Sequence, residues 1–143
     1  MPDFIHLHNH THYSLADGAT SVKGLVSAAK KNGMKSVAIT DHGVMFGVPE
    51  FYKKCKAEGI KPIVGMEAYI TLDSTRHYKQ KLEDQNGRKR KGYQHLILLA
   101  KNRKGYQNLI KLSSIGFLEG FYYKPRIDME VLRQYSEGLI CTS

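Results

Sequence analysis

"KSVAITDHGVMFGVPEFYKKCKAEGIKPIVGMEAYI", residues 35–70, decides the fold. It opens on a compact β-branched run, "KSVAIT" (35–40), which reads as a strand. "MFGVPEFYKKCKAEG" (45–59) follows as a helix, with Pro49 in its first turn and Gly59 as its stop. "IKPIVGMEAYI" (60–70) is a second, longer strand, with Pro62 tolerated near its start. Strand, helix, strand within about 35 residues is a βαβ unit, which implies parallel pairing.

Outward from this unit the alternation continues. Upstream, "FIHL" (4–7) reads as a short strand and "TSVKGLVSAAKKNG" (20–33) as a helix. Val22, Leu25, Val26 and Ala29 mark one helical face, Thr20 or Ser21 can cap its start, and Gly33 suits its end. Downstream, "HLILLA" (95–100) is a continuous apolar run of the kind buried on both faces. "KGYQNLIKLSSIGF" (104–117) places Tyr106, Leu109, Ile110 and Phe117 at helical spacing. "DMEVLRQYSEG" (128–138) is a last helix, capped by Asp128 and ended by Gly138, and "LICTS" begins a strand. The predicted class is α/β, with parallel strands alternating with helices.

One segment interrupts the pattern. Residues 72–92, "LDSTRHYKQKLEDQNGRKRKG", are polar and strongly basic, and Asn86-Gly87 signals a tight turn. This is an inserted basic loop or hairpin, either a solvated excursion or a phosphate-contacting arm.

The chain has 143 residues and 22 Lys+Arg against 13 Asp+Glu, a formal +9. Such a balance suits a polyanionic neighbour, nucleic acid or phosphate, or a solubilising surface. Two cysteines, Cys55 and Cys141, do not make a disulfide framework. No N-terminal apolar run resembles a signal peptide, and no stretch reaches the ~20 apolar residues of a spanning helix. The expectation is a reduced, cytoplasmic, soluble protein.

Chemistry concentrates at strand ends. "HLHNHTH" (6–12) carries four histidines at every second residue. In an extended chain His8 and His10 share one side, about 7 Å apart, and neutral imidazole is a common metal ligand. His6 and His12 share the parity, but one lies deeper in the strand and the other past its end. "TDHG" (40–43) sits at a strand exit, where α/β folds place active sites. There His42 can ligate a metal; Asp41 can ligate, orient a histidine, or cap a helix. Glu67 in "GMEAY" is a carboxylate late in an apolar strand, costly unless paired or metal-bound. Asp17 in "SLADG" reads on its own as a turn residue. His95 begins its strand while the other candidates end theirs, and spacing alone does not select it.

"HLHNHTHYSLADG", "TDHGVMFG", "EFYKKCKAEGIKPIVGMEAYI", "YQHLILLAKN…GYQNLIKLSS" and "LEGFYYKPRID" together resemble the PHP (polymerase and histidinol phosphatase) domain, over nearly the whole chain. "GIKPIVGMEAY" and "GYQNL…EGFYYKPRID" resemble its replicative DNA polymerase branch. The resemblance implies part of a distorted (β/α)7 barrel with a metal cluster at one mouth. Its metal ligands fall on His8, His10, Asp17, His42, Glu67 and His95. It implies no such role for His6 or His12. The family's three further ligands, a cysteine and then an Asp-x-His, are expected beyond residue 143, so residues 1–143 are expected to be the N-terminal portion of the domain; Cys141 precedes the family cysteine. The implied cofactors are divalent ions (Zn, Mn or Mg, up to three in the intact domain). The implied chemistry is phosphodiester hydrolysis, a 3′→5′ exonuclease acting on DNA beside the polymerase and its proofreading subunit. Two alternatives stand beside it: a stand-alone phosphatase of the histidinol phosphatase type, and a non-catalytic scaffold for the proofreading subunit.

Overall fold

The computed structural model describes residues 4–142. Its elements, in chain order, are α1 (Val22–Lys31), β1 (Ser36–Ile39), α2 (Val48–Glu58), β2 (Lys61–Thr71), β3 (Leu82–Glu83), β4 (Lys89–Arg90), β5 (Gln94–Ala100), α3 (Arg103–Leu118), β6 (Arg126–Asp128), α4 (Met129–Gln134) and β7 (Leu139–Thr142). The α/β class holds.

The long strand β2 organises the sheet. β1 pairs with its first half in parallel, Ser36 opposite Lys61 to Ile39 opposite Val64. β6 pairs in parallel with its end, Tyr69 opposite Arg126. β5 runs antiparallel to β2, Gly65 opposite Leu99 and Tyr69 opposite His95. β7 in turn runs antiparallel to β5, so it shares the direction of β2. Among the described strands of this sheet, β5 alone is reversed, which departs from the all-parallel expectation. The reason lies in the connection. A parallel return needs a crossover, usually helical, that carries the chain back to the starting end. Residues 72–93 contain no helix; they form the small antiparallel hairpin β3–β4, closed at Gly87 (φ +71°), and rejoin the sheet at the end where β2 finished.

Residues 4–10 form no strand, contrary to the reading of "FIHL". Ala38 N–H donates to the His6 carbonyl at 3.1 Å and Thr40 N–H to that of Asn9 at 2.9 Å. The donors are two residues apart and the acceptors three, so a regular ladder cannot propagate. Side chains complete the join: Asn9 Nδ2 donates to the Ala38 carbonyl, and Asn9 N–H to Thr40 Oγ1.

Helix ends follow local chemistry. Ser21 caps α1 by accepting from Gly24 N–H, and Gly59 ends α2 at φ +72°. Asp128 caps α4 by accepting from Val131 N–H, but that helix stops at Gln134, before Gly138. At φ +74° Gly138 instead turns the chain into β7. Two clusters make the core. Val22, Val26, Ile39, Phe51 and Cys55 pack α1 and α2 on β1. Met66, Ile70, Leu98, Leu109, Leu112 and Ile127 pack α3 on β2, β5 and β6.

Candidate metal centre

The end of β2 collects the chemistry. Glu67 is deeply buried in an apolar strand and both its oxygens are engaged by imidazoles. Oε2 lies 2.5 Å from His8 Nε2 and 2.6 Å from His10 Nε2; Oε1 lies 2.5 Å from His95 Nδ1. His10 turns its other nitrogen, Nδ1, to Asp17 Oδ2 at 2.9 Å, and the same oxygen lies 2.9 Å from His42 Nε2. All six candidate residues therefore converge, in three overlapping groups: His8, His10 and Glu67; His10, Asp17 and His42; His42, Glu67 and His95. His6 and His12 lie outside them, packed on Phe4 and Tyr13 respectively. Cys141 is exposed on β7 and also lies outside.

The position of each candidate has a local cause. The chain runs past the end of β1 through His42, which bridges to Glu67 in parallel. The reversed direction of β5 brings His95, at its start, beside the end of β2. Asp17 reaches the site because residues 11–18 fold tightly: the N–H groups of Asp17 and Gly18 both donate to the Ser14 carbonyl. A Cβ on Gly18 would sit 1.8 Å from the Thr11 carbonyl oxygen, so only glycine permits this approach.

Asp41 takes a different place from the three considered for it. Its carboxylate accepts from Thr11 N–H at 2.6 Å and Thr11 Oγ1 at 2.8 Å, fixing the segment that follows His8 and His10. Residue 47, not Asp41, occupies the cap of α2. Ser14 Oγ accepts the His42 N–H, and Tyr69 stacks on the His42 ring at 5.3 Å. Asn9, Thr11, Ser14 and Tyr69 were not singled out from the sequence. Small polar residues and one tyrosine carry no ligand pattern, and only their contacts identify them.

The donor set fits cations. Four imidazoles and two carboxylates are suitable ligands for divalent ions. Burial opposes ionisation of Glu67, but hydrogen bonds from His8, His95 and His10 outweigh it and hold the carboxyl below its ordinary value. Burial likewise opposes ionisation of Asp17, and the charges of His10 and His42 outweigh it. Burial lowers the His42 pKa, favouring the neutral, ligating form. His42 Nδ1 is buried without a hydrogen-bond partner among the described residues, and His8 Nε2 and His10 Nε2 crowd to 3.1 Å. An orphaned ring nitrogen and converging lone pairs are what a bound cation would satisfy.

Residues 6–143 match the PHP domain family, and the chain belongs to that family. Its similarity to one kind of protein is closer still. It is 55% identical, over 98% of its length, to the DNA polymerase III subunit alpha of Borreliella burgdorferi. It is 54% identical, over 96% of its length, to that of Aquifex aeolicus. The chain spans 12% of the length of each of these relatives. Among the described residues no helix is long and apolar enough to cross a membrane.

Proposed function

We propose that the chain is the N-terminal PHP part of a DNA polymerase III alpha subunit. Its six-residue cluster is a divalent-metal centre for hydrolysing phosphodiesters at the 3′ end of DNA. The observation that supports this best is the overlap of the three ligand groups. His10, His42 and Glu67 each belong to two of them, so neighbouring ions would share ligands. Glu67 sits between, with Oε2 toward His8 and His10 and Oε1 toward His95.

Bound there, divalent ions would activate water and offset the charge of a phosphoryl group. Zn, Mn and Mg are each compatible with the donors. The residues of the chain hold this arrangement ready. Asp41 and Thr11 fix the backbone beside His8 and His10. Ser14 fixes that of His42, and Tyr69 keeps the His42 ring in one plane. The working partners in this reading are DNA and the other subunits of the polymerase III holoenzyme, the proofreading subunit among them, in the cytoplasm.

The test is metal content and hydrolysis in the full-length subunit. Elemental analysis after purification without chelator should find divalent metal. A 3′-mismatched oligonucleotide should be shortened, and His8→Ala or His42→Ala should stop this. A metal-free protein would sink the reading, as would activity confined to histidinol phosphate.

A further inference from the structure

The β3–β4 hairpin and the turn carrying Tyr122 and Tyr123 enclose a cavity of about 290 Å³, lined in part by Lys81, Lys89, Lys91, Tyr93, Tyr123 and Arg126. Its charges are not balanced. Arg126 is 1% exposed, yet among the described residues no carboxylate pairs with it. Its Nε donates to the Gly120 carbonyl and its Nη2 to those of Arg76 and Tyr78. Nη1 donates to no described residue. Lys79 beside it is held in the same way, Nζ donating to the carbonyls of Glu119 and Phe121 at 2.7 Å each. Burial lowers the pKa of both cations, and Arg126 depresses Lys79 further. The nearby carboxylates Glu119, Asp128 and Glu130 are all engaged by Arg76. A buried guanidinium without a counter-ion is costly, and an anion in the cavity would supply one.

The aromatic lining carries a second, independent signal. Tyr123 is 73% exposed and adopts φ +58°; among the described residues no other non-glycine has a positive φ. Tyrosine gains nothing from this left-handed backbone, and such strain gathers at binding sites. Tyr123 also borders a neighbouring cavity of about 470 Å³ lined by His42 and Tyr69, and Tyr93 stacks on His95 at 5.9 Å. The basic cavity therefore adjoins the six-residue cluster.

We propose that this cavity is a subsite for single-stranded nucleic acid. One backbone phosphate is taken by Arg126 Nη1 with Lys81, Lys89 and Lys91 around it, and an adjoining base stacks on Tyr123 or Tyr93. Interleaved cations and aromatic faces are the chemistry by which single strands are held without regard to sequence. The inference rests on the reading that this chain acts on DNA, and it adds where the strand lies before it reaches the metal centre.

Binding of fluorescein-labelled oligo(dT) to the full chain, followed by anisotropy in the presence of chelator, tests it. The combined variant Lys81→Gln, Lys89→Gln, Lys91→Gln changes only exposed side chains. It should weaken binding about tenfold at low salt and reduce the slope of log K against log salt by about 0.7, the single-strand value for the loss of one neutralised phosphate. Tyr123→Gly should weaken binding while raising the thermal midpoint, because it removes the stacking face and the backbone strain together. Unchanged affinity in both variants overturns the proposal. So does displacement of oligo(dT) by an equal concentration of inorganic phosphate or dTMP, which would mark a mononucleotide pocket. Hydrolysis of bis(p-nitrophenyl) phosphate, with divalent metal restored, reads the cluster separately. Its absence with binding intact sinks only the metal-centre reading. Its persistence with binding unaffected by the substitutions sinks only this one.

Discussion

His95 Nδ1 lies 2.5 Å from Glu67 Oε1, although His95 stands at the beginning of its strand and Glu67 late in its own. The antiparallel register explains the meeting. Glu67 is opposite Ile97, and His95, two residues away on the same face, is its diagonal neighbour. A parallel β5 would have sent His95 to the far end of the sheet. With His8 and His10 on its other oxygen, Glu67 is the residue on which the cluster depends most. Glu67→Gln keeps the shape and removes the charge. In the full-length subunit it should lower bound metal, read by elemental analysis, and reduce hydrolysis by at least about 100-fold, since loss of groups that merely support ligands already costs 10–100-fold. His6→Ala, outside all three groups, should leave both unchanged. Equal metal content in Glu67→Gln would refute the central place given to this carboxylate.

Metal removal should be visible in stability. An ion that binds the folded chain and not the unfolded one stabilises it by about 2.7 kcal/mol at 100 times its dissociation constant. For a chain of this size that corresponds to a rise of roughly 5–10 °C in thermal midpoint. Differential scanning fluorimetry with chelator, and then with Zn, Mn or Mg restored one at a time, measures it. The ion giving the largest rise should also give the fastest hydrolysis. A midpoint indifferent to chelator and to all three ions would contradict the proposed centre.

How much of this was legible can be argued residue by residue. His8, His10, His42 and Glu67 announce themselves, because an H-x-H pair, a histidine just past a strand and a carboxylate in an apolar strand have few other uses. Asp17 and His95 do not. Asp17 reads as a turn residue until the tight 11–18 fold carries it to His10 and His42. His95 needs the direction of β5, and nothing in an apolar run encodes the direction in which it will pair. The helices α1, α2 and α3 follow from periodicity and caps. β6 did not show because three residues carry no period. The missing strand at residues 4–7 reflects a spacing mismatch with β1 that only the observed hydrogen bonds reveal.

Asp128 should govern acid sensitivity. It caps α4 through Val131 N–H and receives Arg76 through both its backbone N–H and Nη1. Burial opposes its ionisation, but the Arg76 and Val131 N–H groups and the Arg76 charge outweigh this and hold the folded pKa below 3.8. The stability it contributes is therefore full above the ordinary carboxylate range and is lost as pH falls through the lowered folded value. Asp128→Ala should cost about 2 kcal/mol near neutrality, combining a lost cap with the loss of one of the three carboxylates on Arg76, which keeps Glu119 and Glu130. Urea denaturation of both proteins between neutral pH and about pH 3 tests the sign, with the difference narrowing only at the acid end. A gap that stays constant across that range would mean the ionised carboxylate is not responsible.

The two thiols should differ sharply in reactivity. Cys55 is fully buried in the α1–α2 core, and burial pushes its pKa up to about 11. Cys141 is exposed on β7. Because the thiolate is the nucleophile, a buried thiol that ionises only far above neutrality is doubly protected, by access and by protonation. Iodoacetamide at neutral pH should label Cys141 alone in the folded chain and both residues in denaturant, read by peptide mass spectrometry. Labelling of Cys55 in the native protein should track global unfolding, because no smaller opening exposes a residue packed between two helices and β1. Rapid native labelling at Cys55 would show that the α1–α2 layer opens independently of the rest of the sheet. The backbone behind His8, His10 and His42 would then be far less rigid than the proposed metal centre requires.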